Sequence, residues 1–120
     1  MHIQLNPAQG VTLSPALEEH INKQLESVDR RFGERLTRIE VYLTDVNGPK
    51  GGLNKQCKLE ARPRGGDPLL AELLHEDVYD AVTGAVKRLE SVLSNHFGKR
   101  DRRPSGGERS KIAGDEDGVA

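Results

Sequence analysis

The sequence has few of the residues that build disulfide frameworks and aromatic binding sites. Its 120 residues include one cysteine, no tryptophan, two tyrosines and two phenylalanines. A single cysteine excludes an internal disulfide bond and fits a reducing compartment. With so few rings, a platform that stacks single-stranded bases is not expected. Any recognition of RNA would therefore use the shape and backbone of a folded RNA.

The chain also lacks long apolar runs and a large net charge. No hydrophobic stretch approaches the roughly 20 residues that a membrane span needs, and no signal-peptide pattern follows Met1. We therefore expect a soluble, cytoplasmic protein without membrane contact. The 18 basic and 19 acidic residues give a formal net charge of −1. Nucleic-acid binding would then have to come from local patches of basic residues.

No pattern typical of catalysis or metal binding is found. The four histidines do not cluster with each other or with Cys57 at ligand spacings, so no metal site is predicted. Cys57 alternates with Leu59 and Ala61 and is expected to be a buried, inert thiol. The glycine stretch at 48–52 lacks the Walker spacing and precedes a strand, which argues against a nucleotide site. We predict no catalytic residues, no cofactor and no enzyme activity.

Two amphipathic helices are predicted. The first begins at a Ser14 cap followed by Pro15 and ends at Gly33. The second begins near Asp77, where negative charge favours a helix N-terminus, and ends at Gly98. The apolar stripes consist of Leu17, Ile21, Leu25, Val28 and Phe32 in the first helix, and of Val78, Val82, Ala85, Leu89, Val92 or Leu93, and Phe97 in the second.

Alternating apolar and polar residues predict strands. The alternation occurs at 3–5, 36–45 and 56–62, and the stretch 69–74 is a shorter fourth candidate whose many leucines leave a helix as an alternative. The order β-α-β-β-β-α suggests one parallel pair joined by a right-handed crossover, followed by antiparallel hairpins. Each middle strand has one apolar face, so both helices must cover the same face of the sheet. We predict a two-layer α+β domain with a four-stranded sheet, of the double-stranded-RNA-binding-like kind.

The domain is expected to span residues 1–100. Residues 101–120 contain glycine, serine, proline and charged residues with almost nothing to bury, and they are predicted to form a disordered charged tail.

Two segments resemble a known family. His-Glu-Asp-Val-Tyr-Asp-Ala-Val at 75–82, followed by Lys-Arg-Leu-Glu at 87–90, resembles the second-helix signature of the ribosome hibernation promoting factor and ribosome-associated translation inhibitor family. Ser-Pro-Ala-Leu at 14–17, leading to Arg-Arg-Phe at 30–32, is similar to the first helix of that family. The resemblance covers residues 1–100 and depends on the combined order and spacing of these segments.

The resemblance implies a function. Members of the family bind the small ribosomal subunit through its rRNA, in the channel between head and body, and block the tRNA and mRNA sites. Long members add a C-terminal domain that pairs ribosomes; about twenty polar residues follow the second helix here, so the match is to a short form, expected to be a monomer in isolation. The alternative is a protein-interaction regulator of the sigma-factor modulation type that uses the polar face of the sheet.

Basic residues are the candidate RNA contacts. Glu19 precedes Lys23 by four positions, which favours an ordinary surface ion pair for Lys23. Ser91, Ser94 and Asn95 occupy a face where family members often carry basic residues, which implies weaker binding through the second helix. For the two basic residues after Gly98, the alternative is that they complement the helix dipole. The predicted RNA-binding residues are Arg30, Arg31, Arg35, Lys87, Arg88, Lys99, Arg100, Arg102 and Arg103.

Overall fold

All six predicted elements are present and follow one another in the predicted order. The computed structural model describes residues 1–8, 10–46 and 53–101, with side chains through Gly98. The elements are β1 (His2–Pro7), α1 (Pro15–Phe32), a 3₁₀ turn (Gly33–Arg35), β2 (Leu36–Asp45), β3 (Lys55–Pro63), β4 (Leu69–His75) and α2 (Val78–Asp101). The predicted α+β class is confirmed. Residues 102–120, nearly all of the predicted tail, lie outside the described residues.

Local capping determines where both helices begin. Ser14 Oγ accepts a hydrogen bond from the backbone N–H of Leu17 at 3.1 Å, and proline occupies the first helical position of α1. The Asp77 carboxylate accepts from the backbone N–H groups of Tyr79 at 2.7 Å and Asp80 at 3.3 Å. These bonds satisfy N–H groups that have no partner within the helix. Both predicted helix starts are therefore confirmed to within a residue.

The helix ends differ in how well they were predicted. Gly33 follows the last residue of α1, as expected, and its N–H donates to the carbonyl of Asp29. The expected end of α2 at Gly98 is wrong, because the helix continues to Asp101. A glycine terminates a helix efficiently when its φ is positive. Among the described glycines only Gly10 and Gly66 have positive φ, so Gly98 is compatible with continued helix.

The strands form one mixed sheet in the order β1-β2-β3-β4. β1 pairs in parallel with β2, with Leu5 opposite Val41, and the other two pairings are antiparallel. The stretch at 69–74 is a strand and not a helix. Gly66, with a φ of 101°, allows the chain to turn back so that Ala71 lies opposite Leu59 on β3. The leucines fit a helix pattern and a strand pattern equally well, and pairing with β3 selects the strand.

One hydrophobic core lies between the sheet and the two helices. The predicted stripe of α1 is buried over its whole length, and it joins the apolar face of the sheet and the inner face of α2 in a single cluster. Both helices therefore cover the same face of the sheet, as predicted. The fully buried residues at the centre of this core include Ile21, Leu25, Ile39, Leu43, Leu59, Leu89 and Leu93.

Candidate nucleic-acid interface

The two helices lie side by side and run in the same direction. Ser27 Oγ donates a short hydrogen bond to Glu90 Oε2, and Arg31 Nη2 donates to Ser94 Oγ at 2.9 Å. Closer to the N-terminal ends of the helices, His20 Nε2 lies 3.0 Å from Thr83 Oγ1. Each pair is separated by 63 positions in the sequence. A constant separation means that residue numbers rise together along both helices, so α1 and α2 are parallel and their C-terminal ends lie at the same end of the domain.

A surface groove between these helices brings together two of the predicted cations. Arg31 and Lys87 both line it, and both side chains are exposed. Within the described ranges, neither residue forms an ion pair with a carboxylate; Glu90, the one acidic residue in the groove, accepts from Ser27. The remaining residues of the groove are Ser91, Ser94 and Asn95. We name these six residues the interhelical groove.

Arg35 lies at the same end, beyond α1. Its guanidinium carbon is 5.2 Å from the centre of the Phe97 ring, and that of Arg31 is 4.8 Å from the Phe32 ring. The 3₁₀ turn at Gly33–Arg35 redirects the chain after α1, so that Arg35 reaches a ring on α2. Arg31 and Arg35 are therefore held at the shared C-terminal end of the two helices.

Arg88 occupies a different surface from Lys87. Its Nη1 donates to the carbonyl of Glu72 on β4 at 3.0 Å, and it lies beside Leu70 and Val92. Adjacent helix residues point about 100° apart. Of these two predicted contacts, Lys87 therefore faces the interhelical groove and Arg88 faces the outer edge of the sheet.

The other predicted contacts are placed less fully. Arg30 is exposed. Within the described residues of α1, Glu26 and Arg30 are not within ion-pair distance, and neither are Glu19 and Lys23. The surface ion pair expected for Lys23 therefore does not form. The predictions for Lys99 and Arg100 concern side chains outside the described part of the chain. Arg102 and Arg103 lie outside the described residues altogether, as does the glycine stretch between β2 and β3.

Sequence reasoning missed one cation near this end. Arg64 is exposed, its Nε donates to the carbonyl of Glu34 at 2.6 Å, and its backbone N–H donates to the carbonyl of Arg35 at 3.0 Å. These bonds fix the β3–β4 turn against the 3₁₀ turn. Arg64 is 29 positions from Arg35 in the sequence, and only the antiparallel pairing of β2 with β3 brings the two turns together.

Two basic residues on the open face of the sheet, Arg38 and Arg62, are paired with carboxylates. Arg38 Nη2 lies 2.8 Å from Glu40 Oε2, and Arg62 Nε lies 3.6 Å from the same oxygen. The hydrogen bond that Tyr42 donates to Glu40 at 2.8 Å, together with the two guanidinium groups, holds the pKa of Glu40 below its ordinary value despite its burial. The same hydrogen bond and burial raise the pKa of Tyr42. This face is a compensated network and offers few free cations to RNA.

Other kinds of site find little support in the described residues. No group of three or more histidine, cysteine or acidic side chains in those ranges is arranged to hold a metal ion. No helix there is long and apolar enough to cross a membrane. Cys57 is buried, and burial raises the pKa of its thiol to about 12. A thiol with that pKa is protonated at neutral pH and a poor nucleophile.

Comparison with known proteins agrees with the family resemblance of the two helices. The family model described as Sigma 54 modulation protein / S30EA ribosomal protein matches residues 7–101. A search of the curated proteins gave no match. The fold is similar to that of a ribosomal subunit interface protein from Coxiella burnetii, with 27% identity, a TM-score of 0.67, and coverage of 82% of this chain and 100% of that one. It is also similar to the N-terminal domain of Thermus thermophilus Protein Y, with 24% identity, a TM-score of 0.63, and coverage of 85% and 100%, a likeness of fold alone. The chain therefore belongs to the Sigma 54 modulation protein / S30EA ribosomal protein family.

Proposed function

We propose that this protein is a ribosome-associated translation inhibitor that acts in the cytoplasm without catalysis. In this proposal it binds the small ribosomal subunit through the rRNA backbone and blocks the sites of tRNA and mRNA. The observation that carries the proposal is that Arg31 and Lys87, from two different helices, face one groove without carboxylate partners among the described residues. The similar Coxiella structure is that of a ribosomal subunit interface protein, which supports the same partner.

The choice of backbone contacts over base reading follows from where the aromatic rings lie. Phe32 and Phe97 are 8% and 7% exposed, so their rings cannot receive an unstacked base. Tyr42 donates its hydroxyl to Glu40, and Lys58 Nζ lies 5.4 Å from the centre of its ring. Tyr79, 37% exposed, is the one exposed tyrosine or phenylalanine ring among the described residues, and a single ring does not make a stacking platform. Folded RNA can still be bound through phosphates, which accept hydrogen bonds from arginine and lysine. The proposed recognition is therefore one of shape and charge.

The low net charge is compatible with this function because the cations are concentrated locally. At the open sheet face, Arg38 and Arg62 share the carboxylate of Glu40. Along the interhelical groove, Arg31 and Lys87 can exchange water and counterions for phosphates. Lys99, Arg100, Arg102 and Arg103 remain predicted contacts.

Co-sedimentation with purified small subunits tests the proposal. The double reversal Arg31→Glu with Lys87→Glu should lower affinity about tenfold or more, and it should relieve inhibition of a cell-free translation system in parallel. Lys23→Glu is the charge-matched control for each of the two single reversals, because Lys23 is exposed on α1 and does not line the groove. If the wild-type protein neither binds small subunits nor slows translation, the proposed function is wrong.

A second candidate function, a protein-interaction regulator that uses the open sheet face, has one observation in its favour. Leu70 and Leu74, on the outermost strand of that face, are 55% and 42% exposed. Such a regulator would bind a protein partner with little dependence on salt and would not co-sediment with ribosomes. Substitution of Leu70 by lysine should then abolish partner binding, whereas the ribosome-binding function should tolerate it.

A further inference from the structure

The two phenylalanines at the shared end of the helices form a stacked pair. The ring centres of Phe32 on α1 and Phe97 on α2 are 5.9 Å apart, with 26° between the ring planes. Both side chains are buried and belong to the hydrophobic core. The sequence pattern predicts this core role, since both residues lie on the apolar stripes of their helices. It does not predict what lies on the rings.

An arginine guanidinium lies over each ring of this pair. The guanidinium carbon of Arg31 is 4.8 Å from the centre of the Phe32 ring, and that of Arg35 is 5.2 Å from the centre of the Phe97 ring. These distances lie within the roughly 6 Å over which a cation is attracted by the face of an aromatic ring. The rings that close this end of the core therefore also support two charged groups on its surface.

Stacking on a ring and binding a phosphate use different parts of a guanidinium group. When the flat face of a guanidinium lies against a ring, its N–H groups remain in the guanidinium plane, where a phosphate can accept hydrogen bonds from two of them. Arg31 is fixed further by its hydrogen bond to Ser94. An arginine already held in this way loses less conformational freedom on binding than a mobile one. A lysine at either position keeps the charge but loses the planar fork.

We propose that Arg31 and Arg35 form a preorganised binding site for backbone phosphates of RNA, with Phe32 and Phe97 as the residues that position them. This inference rests on the proposed function and names the site within it. It also separates these two arginines from Arg30, which lies next to Arg31 in sequence but is not among the arginines that contact a ring. The site requires arginine, and not merely positive charge, at positions 31 and 35.

The test replaces arginine by lysine without changing net charge. Arg31→Lys and Arg35→Lys should each weaken binding to purified small subunits about fivefold. Arg30→Lys is the matched control and should change affinity less than about twofold. These substitutions are all on the surface, so folding is preserved. Equal affinity of the wild type and both ring-contacting lysine variants would overturn the inference and leave the proposed function standing.

A double-mutant cycle isolates the role of the ring. Phe97→Leu retains an apolar side chain in the core but removes the aromatic face under Arg35. If the ring positions Arg35, Arg35→Lys should cause a smaller loss of affinity in the Phe97→Leu background than in the wild type. An undiminished effect of Arg35→Lys in that background would contradict the positioning role.

A measurement without RNA separates failure of this inference from failure of the proposed function. Ring currents should shift the NMR signals of the Arg31 and Arg35 side-chain protons upfield, and Phe32→Leu and Phe97→Leu should remove those shifts. Titration with inorganic phosphate should perturb the Nε–H signals of Arg31 and Arg35 more than that of Arg30. Equal perturbation of all three arginines would overturn the inference. Absence of small-subunit binding by the wild type would instead overturn the proposed function.

Discussion

Arg31 Nη2 lies 2.9 Å from Ser94 Oγ, and this bond joins the last turn of α1 to α2 near the end of that helix. Because the helices are parallel, the partial negative charges of their two C-termini lie at one end of the domain. Basic residues at this end stabilise both helices in the free protein. The same residues are then available to bind an anion, so the structural and the RNA-binding interpretations of these cations are compatible.

Ser27 is predicted to stabilise the parallel helix pair through its bond to Glu90. Ser27→Ala leaves a half-buried carboxylate without this donor and should lower the free energy of unfolding by about 1 kcal/mol. Ser91→Ala is the control, since Ser91 is exposed in the same groove, and it should change that free energy by less than about 0.5 kcal/mol. Urea denaturation followed by circular dichroism measures both. Equal effects would show that the bond contributes nothing specific.

Arg88 is predicted to protect the outer edge of β4. This strand is at the edge of the sheet, and Arg88 donates a hydrogen bond to the carbonyl of Glu72 in the middle of the strand. Unpaired edge groups beside exposed leucines promote association of strands. Arg88→Ala should therefore increase self-association in sedimentation velocity as protein concentration rises, whereas Lys87→Ala, with the same change in charge, should remain monomeric. A monomeric Arg88→Ala variant at every concentration would rule out this role.

Cys57 is predicted to be unreactive in the folded protein. Burial raises the pKa of its thiol to about 12, whereas an unfolded cysteine has a pKa of about 8.5. The protonated thiol is favoured by folding, so its contribution to stability is complete below about pH 8.5 and is lost as the pH rises toward 12. Labelling with Ellman's reagent at pH 8 should proceed only as fast as the protein unfolds. Rapid labelling of the native protein would contradict the burial of Cys57.

Glu40 is predicted to make stability depend on pH in acid. Tyr42 and the neighbouring arginines lower the pKa of Glu40, so its ionised form stabilises the fold above the ordinary carboxyl pKa of about 4.3. That contribution is lost as the pH falls through the lowered value. Glu40→Gln should destabilise the protein in urea denaturation at pH 7 and much less at pH 2. Glu19→Gln, on exposed α1 surface, should have little effect at either pH.

The main features of the fold could be predicted from local patterns. The Ser14 cap and the apolar stripe of α1 identify that helix because both signals are contained within it. The stretch Leu69–His75 could not be decided locally, since its leucines fit two periodicities and only pairing with β3 selects one. The continuation of α2 beyond Gly98 also escaped prediction, because the conformation of a glycine is determined by its surroundings.

The candidate site was predicted less well than the fold. Residue type identified Arg31, Arg35 and Lys87 as candidates, but nothing local tells that Lys87 faces α1 and Arg88 faces β4. That division depends on the rotation of α2 about its axis as it packs on the sheet. Likewise, the pattern assigned Phe97 to the core without indicating that Arg35 stacks on it. Such contacts join distant parts of the sequence and arise only from packing.

The sheet order follows the order of the strands in the chain, and this has a consequence for how the protein is made. No strand must be inserted between two that are already paired. As synthesis proceeds from the N-terminus, each new strand therefore adds to the free side of the one before it. β1 waits for α1 and β2 to emerge, and α2 arrives last to close the core. The nascent chain can thus acquire its fold by successive addition, without undoing earlier pairings.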